Sequence, residues 1–172
     1  MEDNYTFLAI SPHGNIQHRI EEEQRKFSSE YHITPFYPLI CPIKKLENST
    51  NFKNYRLILS EYQQLFQCSK AVFTAESPRL YKNGLYRRLQ WNSENKIPHS
   101  DLDFKGLKLK EYAFFYGNCK TSTATQPAEF SLQPLTFKVF RLCIITFTLK
   151  GNNFSYYTWK EMCSVWIANN YR

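Results

Sequence analysis

The chain has 172 residues and a mass of 20.5 kDa, which fits one domain over residues 1–172 and excludes a large multidomain assembly. Hydrophobic residues make up 42% of it and aromatic residues 17%, so it can build a core and lacks the composition of a disordered protein. Its formal charge is +7, which favours an anionic partner without identifying one.

The first quarter of the chain predicts a strand, a helix and a second, irregular strand. Residues 5–10 are apolar and aromatic and end at Ser-Pro-His-Gly, which predicts a strand entering a turn. In residues 16–30 the apolar positions fall on one helical stripe. Residues 31–43 are rich in aromatic side chains but carry three prolines, which favours an edge strand or an irregular one. Residues 44–54 are polar and predict a loop or a short helix.

The middle of the chain predicts two more strands and one more helix. Residues 55–59 and 70–75 have the composition of strands, and residues 61–66 are interpreted as their connection. Residues 78–91 begin with a proline and space their leucines as a helix would, although a glycine weakens the pattern. Residues 92–106 are polar and rich in turn formers, which indicates a loop.

The last third predicts antiparallel strands. Residues 107–116 predict a strand, and residues 119–129 an exposed loop. Residues 137–149 and 154–167 are long β-branched and aromatic runs separated by Gly-Asn-Asn. They should pair as a hairpin, so the fold class is α+β with antiparallel sheets and helices packed outside.

Several site types and cell compartments are disfavoured by the same pattern. The five cysteines are scattered and form no CxxC, which argues against a disulfide framework and a zinc site. The N-terminus is acidic where a signal peptide is basic, and no run approaches the ~20 apolar residues of a membrane span. We therefore expect a cytoplasmic protein with no metal, no cofactor and no membrane partner. Kinase, serine hydrolase and zinc hydrolase motifs are also missing from the sequence.

Among the four histidines, His32 has the most informative neighbours. His13, His18 and His99 lie in turn or helix-start contexts that are typical of solvated histidines. In a strand, alternation would point His32 and Thr34 to the same side, where an imidazole and a hydroxyl can jointly bind a phosphate. The competing interpretation is a partly buried histidine whose hydrogen bonds are satisfied by its neighbours.

The order of elements around His32 and Thr34 resembles the two-histidine (2H) phosphoesterase superfamily, which includes the 2′-5′ RNA ligase-like proteins. The segments that carry the resemblance are YTFLAI, IQHRIEEEQRKF, HIT, RLILSEYQQLF, KAVFTA, FKVFRLCIITFTL and FSYYTWKEMCSVWI. The resemblance implies a two-lobed fold with antiparallel sheets around a central concave cleft. It also implies metal-independent hydrolysis of a 2′,3′-cyclic or 2′-5′-linked phosphodiester, with His32 as general acid or base and Thr34 as phosphate ligand.

The chain departs from this family at the second of its two His-x-Thr/Ser motifs. That motif should lie in residues 109–120, where Tyr112, Phe114 and Tyr116 occupy alternating positions and no histidine is present. Placing His99 there requires a shifted alignment. A tyrosine with a pKa near ~10 is a poor acid or base at neutral pH.

Three hypotheses follow from the retained and missing motifs. The chain is a divergent phosphodiesterase with an unrecognised second group, a catalytically degenerate relative that only binds a nucleotide or RNA end, or an unrelated α+β protein. The first two predict that His32 and Thr34 face the concave surface and not the apolar layer behind it. Pairs of aromatic and basic residues, as in Tyr55-Arg56 and Tyr86-Arg87-Arg88, would suit RNA, but the same pattern arises from core aromatics beside solvated cations. The oligomeric state stays open.

Overall fold

The computed structural model describes residues 2–47, 51–81, 84–92, 102–104, 107–109, 112–119, 133–150 and 156–168. These residues form two helices and twelve strands. The elements are β1 (Glu2–Pro12), α1 (Asn15–Glu30), β2 (Ile33–Pro35), β3 (Cys41–Leu46), α2 (Phe52–Cys68), β4 (Val72–Ala75), β5 (Arg79–Tyr81), β6 (Gly84–Asn92), β7 (Leu102–Phe104), β8 (Leu107–Leu109), β9 (Ala113–Cys119), β10 (Leu135–Phe137), β11 (Val139–Lys150) and β12 (Tyr157–Ala168).

The strands form antiparallel sheets, which confirms the predicted α+β class. A four-stranded sheet has the order β12-β11-β1-β3. A six-stranded sheet has the order β10-β4-β6-β9-β2, with β5 also paired to β6, and β7 pairs with β8. One of the sheets curls into half a barrel. The finer expectation, two lobes around a central cleft, stays a prediction.

The main core lies between the two larger sheets and the helices. Helix α1 buries Ile20, Gln24 and Phe27, whose spacing of four and three residues places them on one face. Helix α2 packs on the four-stranded sheet, contacting β11 and β12. The Asn51 side chain caps α2, because its Oδ1 accepts a hydrogen bond of 3.0 Å from the backbone N–H of Asn54.

The opposite face of the four-stranded sheet is also covered. Phe7 and Phe147 are buried there beside smaller side chains of β1 and β11. The connection between β2 and β3 lies over this face, because the Phe36 ring stacks on the rings of Phe147 and Tyr157 at centroid distances of 5.6 and 5.1 Å. The Tyr157 hydroxyl accepts a hydrogen bond of 2.8 Å from the backbone N–H of Tyr37. The central strands β1 and β11 of the four-stranded sheet are therefore covered by apolar side chains on both faces.

Several predicted elements are confirmed. Residues 5–10 lie in β1, residues 16–30 in α1 and residues 72–75 in β4. Strands β11 and β12 pair from Val139↔Ala168 to Leu149↔Tyr157, as the predicted hairpin requires. The proline-rich segment contains β2 and β3, each at the end of a sheet, as an edge position requires. Residues 120–129 and 151–153, predicted as a loop and a turn, lie outside the described residues.

The predicted strand at 55–59 and the connection at 61–66 are wrong, because both belong to α2. Tyr55, Leu59 and Phe66 are the residues that α2 buries, and spacings of four and seven place them on one helical face. The apolar run at residues 55–59 is short enough to fit either the two-residue period of a strand or the 3.6-residue period of a helix. Asn51, the N-cap residue just before α2, is the sequence signal that favours the helix over a strand.

The predicted helix at 78–91 is also wrong, because this segment forms β5 and β6. Leu85, Arg87 and Leu89 are buried while the residues between them are more exposed, which is the period-two pattern of a strand. The strand predicted at 107–116 is divided between β8 and β9. In the described part of the chain, neither helix is long and apolar enough to cross a membrane.

Candidate functional site at the β2 edge

His32 and Thr34 lie at the exposed edge of the six-stranded sheet. Both side chains are exposed, whereas Ile33 between them is buried in the main core. Thr34 belongs to β2 and faces away from the core, because successive strand residues point to opposite sides. His32 precedes β2 and has a left-handed backbone with φ 52°. Strand alternation therefore does not fix the direction of the imidazole, although solvent reaches it.

Asn118 on β9 is a neighbour that the sequence did not single out. Strand β2 pairs with β9 in the register Thr34↔Asn118, so the two side chains project from the same face of the sheet. Asn118 is exposed as well. A hydroxyl and a carboxamide side by side can both donate hydrogen bonds to a phosphate oxygen. Only the strand register brings these two residues together.

Gly117 allows β2 to approach β9 this closely. It pairs with Pro35 and has a φ of 154°. A Cβ atom at this position would collide with the backbone carbonyl of Thr34 and with the Ile33 side chain. The position of Thr34 therefore depends on a residue without a side chain.

Gln24 of α1 holds the same edge from behind. Its Nε2 donates hydrogen bonds to the carbonyl oxygens of Phe36 and Tyr116, at 2.8 and 2.9 Å. The backbone N–H of Phe36 also donates to the Tyr116 carbonyl, at 3.0 Å. Gln24 is buried, so these bonds are shielded from water. The helix thus fixes the chain immediately after β2.

A buried ion pair lies next to Gln24. Arg87 is fully buried, and its Nε and Nη2 donate to the two carboxylate oxygens of Glu23 at 2.8 and 2.7 Å. The Tyr116 hydroxyl donates to Glu23 at 2.8 Å and accepts from Arg87 Nε at 2.9 Å. Burial is the main cause that raises the pKa of Tyr116 well above its ordinary value. This tyrosine therefore stays neutral and links α1 to the sheet.

The side chains in the region of the missing second motif are packed in the main core. Phe114 and Tyr116 are buried there, and Tyr112 packs against it. The Tyr112 ring stacks on Trp91 at a centroid distance of 5.9 Å. Burial raises the pKa of Tyr112 to about 12. None of the three is poised to exchange a proton at neutral pH.

The other described histidines lie far from His32. His18 is near the start of α1 and pairs with Glu22 at 3.1 Å, and the His13 ring contacts Trp166 at a centroid distance of 4.2 Å. His32 follows the end of the same helix. At 1.5 Å per residue, α1 separates His18 from its own last turn by roughly 18 Å, so the two imidazoles cannot share one phosphate. His99 lies outside the described residues.

The predicted aromatic and basic clusters are mostly structural. Arg87 is buried in its ion pair, and Tyr55 is buried in the core. Arg56 is exposed, and its guanidinium lies over the Phe52 ring at 5.0 Å from the centroid. The interpretation as a core aromatic beside a solvated cation holds for Tyr55-Arg56, whereas Arg87 is buried in its ion pair and cannot form part of an RNA surface.

The described part of the chain offers no metal site, and two of its thiols are deeply buried. No group of three or more His, Cys, Asp or Glu side chains there is arranged to hold a metal ion. Cys41, Cys68, Cys143 and Cys163 are free thiols. Burial raises the pKa of Cys41 strongly and that of Cys143 to about 12. Such thiols are poor nucleophiles.

No protein-family model, curated protein or solved structure matches this chain. The resemblance to the 2H phosphoesterases therefore depends on the order of its elements and on His32 and Thr34.

Proposed function

We propose that this chain is a 2H phosphoesterase-like protein that binds the phosphate of a nucleotide or RNA end at the β2 edge. His32 and Thr34 are the phosphate ligands, and Asn118 assists them. The observation that carries the proposal is the exposure of all three residues at one strand edge, with Thr34 and Asn118 in direct register. We place the protein in the reducing cytoplasm, in keeping with its free thiols.

The proposed contacts match the chemistry of a phosphate. A threonine hydroxyl and an asparagine amide donate hydrogen bonds to non-bridging oxygens, and a protonated imidazole adds a charge-assisted one. The net charge of +7 favours the approach of an anion. The backbone that carries Thr34 is held by Gln24 and by the close pairing at Gly117, so the site is organised before a ligand arrives.

Binding without turnover is the version that the geometry favours. Hydrolysis by the family's mechanism needs a second proton-transfer group, and losing one member of such a pair costs on the order of 10² to 10⁴ in rate. The residues at the expected position of that group, Phe114 and Tyr116, are buried in the core. A divergent metal-independent phosphodiesterase, with His32 as general acid or base, is the second candidate. The solvent access of His32 favours it.

Four variants test the proposal. His32→Ala and Thr34→Val remove the proposed ligands, while His18→Ala and Thr136→Val change exposed residues of the same types elsewhere. Binding of adenosine 2′-monophosphate is measured by calorimetry, and hydrolysis of 2′,3′-cyclic AMP by chromatography with and without a chelator. We expect the site variants to weaken binding by roughly 1 to 3 kcal/mol and the controls to leave it unchanged.

The outcomes separate the two candidate functions. Equal affinity in all four variants and the parent refutes the binding site. Chelator-resistant turnover that His32→Ala abolishes establishes the catalytic version in place of simple binding. Turnover that survives His32→Ala removes His32 from any mechanism.

A further inference from the structure

A cavity of about 440 Å³ opens on the four-stranded sheet, away from the β2 edge. It is lined by residues of β1, β11 and β12 and by Tyr55 from the first turns of α2. Its volume falls within the ~300 to 1,000 Å³ that is typical of small-molecule sites. The lining contains hydroxyl, amide and ammonium groups and no carboxylate.

The strand registers arrange these polar side chains as a grid. Cross-strand partners project from the same face of a sheet, so each register position contributes a row of three. The two rows are Thr6, Thr146 and Lys160, and Asn4, Thr148 and Thr158. Sequence positions at the two ends of the chain thus meet on one surface.

The grid begins where helix α2 ceases to cover the sheet. On the same face, the next cross-strand pair is Leu8 and Ile144, and both are fully buried in the main core. Tyr55 is buried too and forms the wall between the apolar part and the polar part. Thr6 is only 2% exposed, so part of the polar grid lies well below the surface.

The hydrogen bonds within the grid leave donors available. The Thr6 and Thr146 hydroxyls are 2.8 Å apart, and the Thr148 hydroxyl donates to Asn4 Oδ1 at 2.8 Å. In the first pair, one hydroxyl donates to the other, whose own proton remains available to a ligand. The Asn4 amide uses only its oxygen in the second hydrogen bond, so both of its N–H protons remain available. Within the described ranges, no carboxylate lies within ion-pair distance of Lys160. A cavity rich in donors with one cation suits an anion that carries many oxygen acceptors.

We propose that this cavity binds a small phosphorylated sugar. The Lys160 ammonium forms an ion pair with the phosphate. The threonine hydroxyls and the Asn4 amide form hydrogen bonds with the hydroxyls of the sugar ring, which can both donate and accept. Met162 also lines the cavity and offers apolar surface to the face of a sugar ring. The site lies on a different sheet from His32 and does not depend on the function proposed for the β2 edge.

Binding of ribose 5-phosphate, with ribose and inorganic phosphate as separate arms, tests this site. Thr146→Val removes one hydroxyl at constant shape, and Lys160→Gln removes the charge. The matched controls are Thr136→Val, which alters another cross-strand threonine pair, and Lys26→Gln on α1. We expect ribose 5-phosphate to bind the parent with a Kd of about 1 mM or tighter, and each site variant to weaken it about tenfold. Ribose and phosphate alone should bind more weakly than the combined ligand.

Several results would overturn the proposal. One is the lack of saturable binding of ribose 5-phosphate by the parent protein. Another is affinity in Thr146→Val and Lys160→Gln equal to that of the controls, with circular dichroism showing all four folded. Should Thr146→Val not fold, the exposed Thr158→Val takes its place. Loss of binding in His32→Ala would assign the ligand to the β2 edge and so refute this cavity, whereas failure of the β2 proposal alone leaves it standing.

Discussion

Replacing Arg87 by methionine removes the cationic partner of Glu23 from the interior while keeping an unbranched side chain. Arg87 is fully buried and donates to both carboxylate oxygens of Glu23 and to the Tyr116 hydroxyl. Its Nη1 also donates to the carbonyl of Glu76 at 2.7 Å and, more weakly, to those of Ala75 and Gln133 at 3.4 Å. The variant therefore leaves one carboxylate without its counter-ion and several carbonyls without a donor.

The structure sets the size of the expected loss. Removing one partner of a buried ion pair costs about 3 to 5 kcal/mol, because the remaining charge is uncompensated. The Glu23 side chain is 13% exposed, so water reaches part of the carboxylate and the lower end of that range applies. We therefore expect Arg87→Met to lower the free energy of unfolding by about 3 kcal/mol. Arg87→Lys keeps the charge but loses the two-pronged geometry, and we expect it to fall between the parent and methionine.

Urea unfolding of a double-mutant cycle provides the assay. Glu23→Leu alone leaves the buried guanidinium without its counter-ion. The double variant Arg87→Met with Glu23→Leu removes both charges, and it should recover at least half of the stability that Arg87→Met loses. The partly exposed pair of Arg141 and Glu161, at 2.9 Å, is the control, for which we expect a loss of under ~1 kcal/mol. A loss below about 1 kcal/mol for Arg87→Met, or a double variant no more stable than the single ones, would refute the reasoning.

Two further predictions concern the β2 edge and the response to alkali. Gly117 and Gly14 both have a positive φ that strains an alanine, but a Cβ at Gly117 would also meet the Thr34 carbonyl while one at Gly14 meets nothing within 4 Å. Gly117→Ala should therefore destabilise the protein by about 1 to 3 kcal/mol more than Gly14→Ala does; equal urea midpoints would contradict this. Burial raises the pKa of Cys41 and brings that of Tyr112 to about 12, so the folded state holds these protons more tightly than the unfolded chain. These two groups should leave stability unchanged between pH 7 and pH ~9 and lower it as the pH rises from there towards 12, and a urea midpoint that does not change between pH 8 and pH ~10.5 would argue against it.

Elements with one unambiguous period were predictable from the sequence. The helical stripe of α1 and the long β-branched runs of β11 and β12 each fit a single pattern, and the structure confirms them. Residues 55–59 fit both periods, and only their continuation to Phe66 makes the helix clear. In residues 78–91 the leucine spacing also allowed a helix, but pairing with β4 and β9 on either side settled β6 as a strand.

The candidate site could be predicted in part. The exposed position of Thr34 beside a buried Ile33 follows from strand alternation. The left-handed backbone of His32 does not follow from strand alternation. It follows from the end of α1, because His32 comes directly after the C-cap Tyr31, where helices commonly end in this conformation. Asn118 and Gly117 come next to Thr34 through a strand register between distant segments, which no local pattern encodes. Arg87 looked like a solvated cation in the sequence, and its buried role depends on Glu23 of α1.

The packing of β9 limits where a second catalytic group can come from. On one face of this strand, Phe114 and Tyr116 are buried in the main core. On the other face, Ala113 and Phe115 are buried as well, and the Phe115 ring contacts Phe36 at a centroid distance of 5.5 Å. Neither face of residues 113–116 is therefore open to a ligand at the β2 edge. In the proposed site, an acid or base acting with His32 would therefore come from outside residues 113–116, and β9 would contribute Asn118 as a hydrogen-bond donor to a phosphate oxygen.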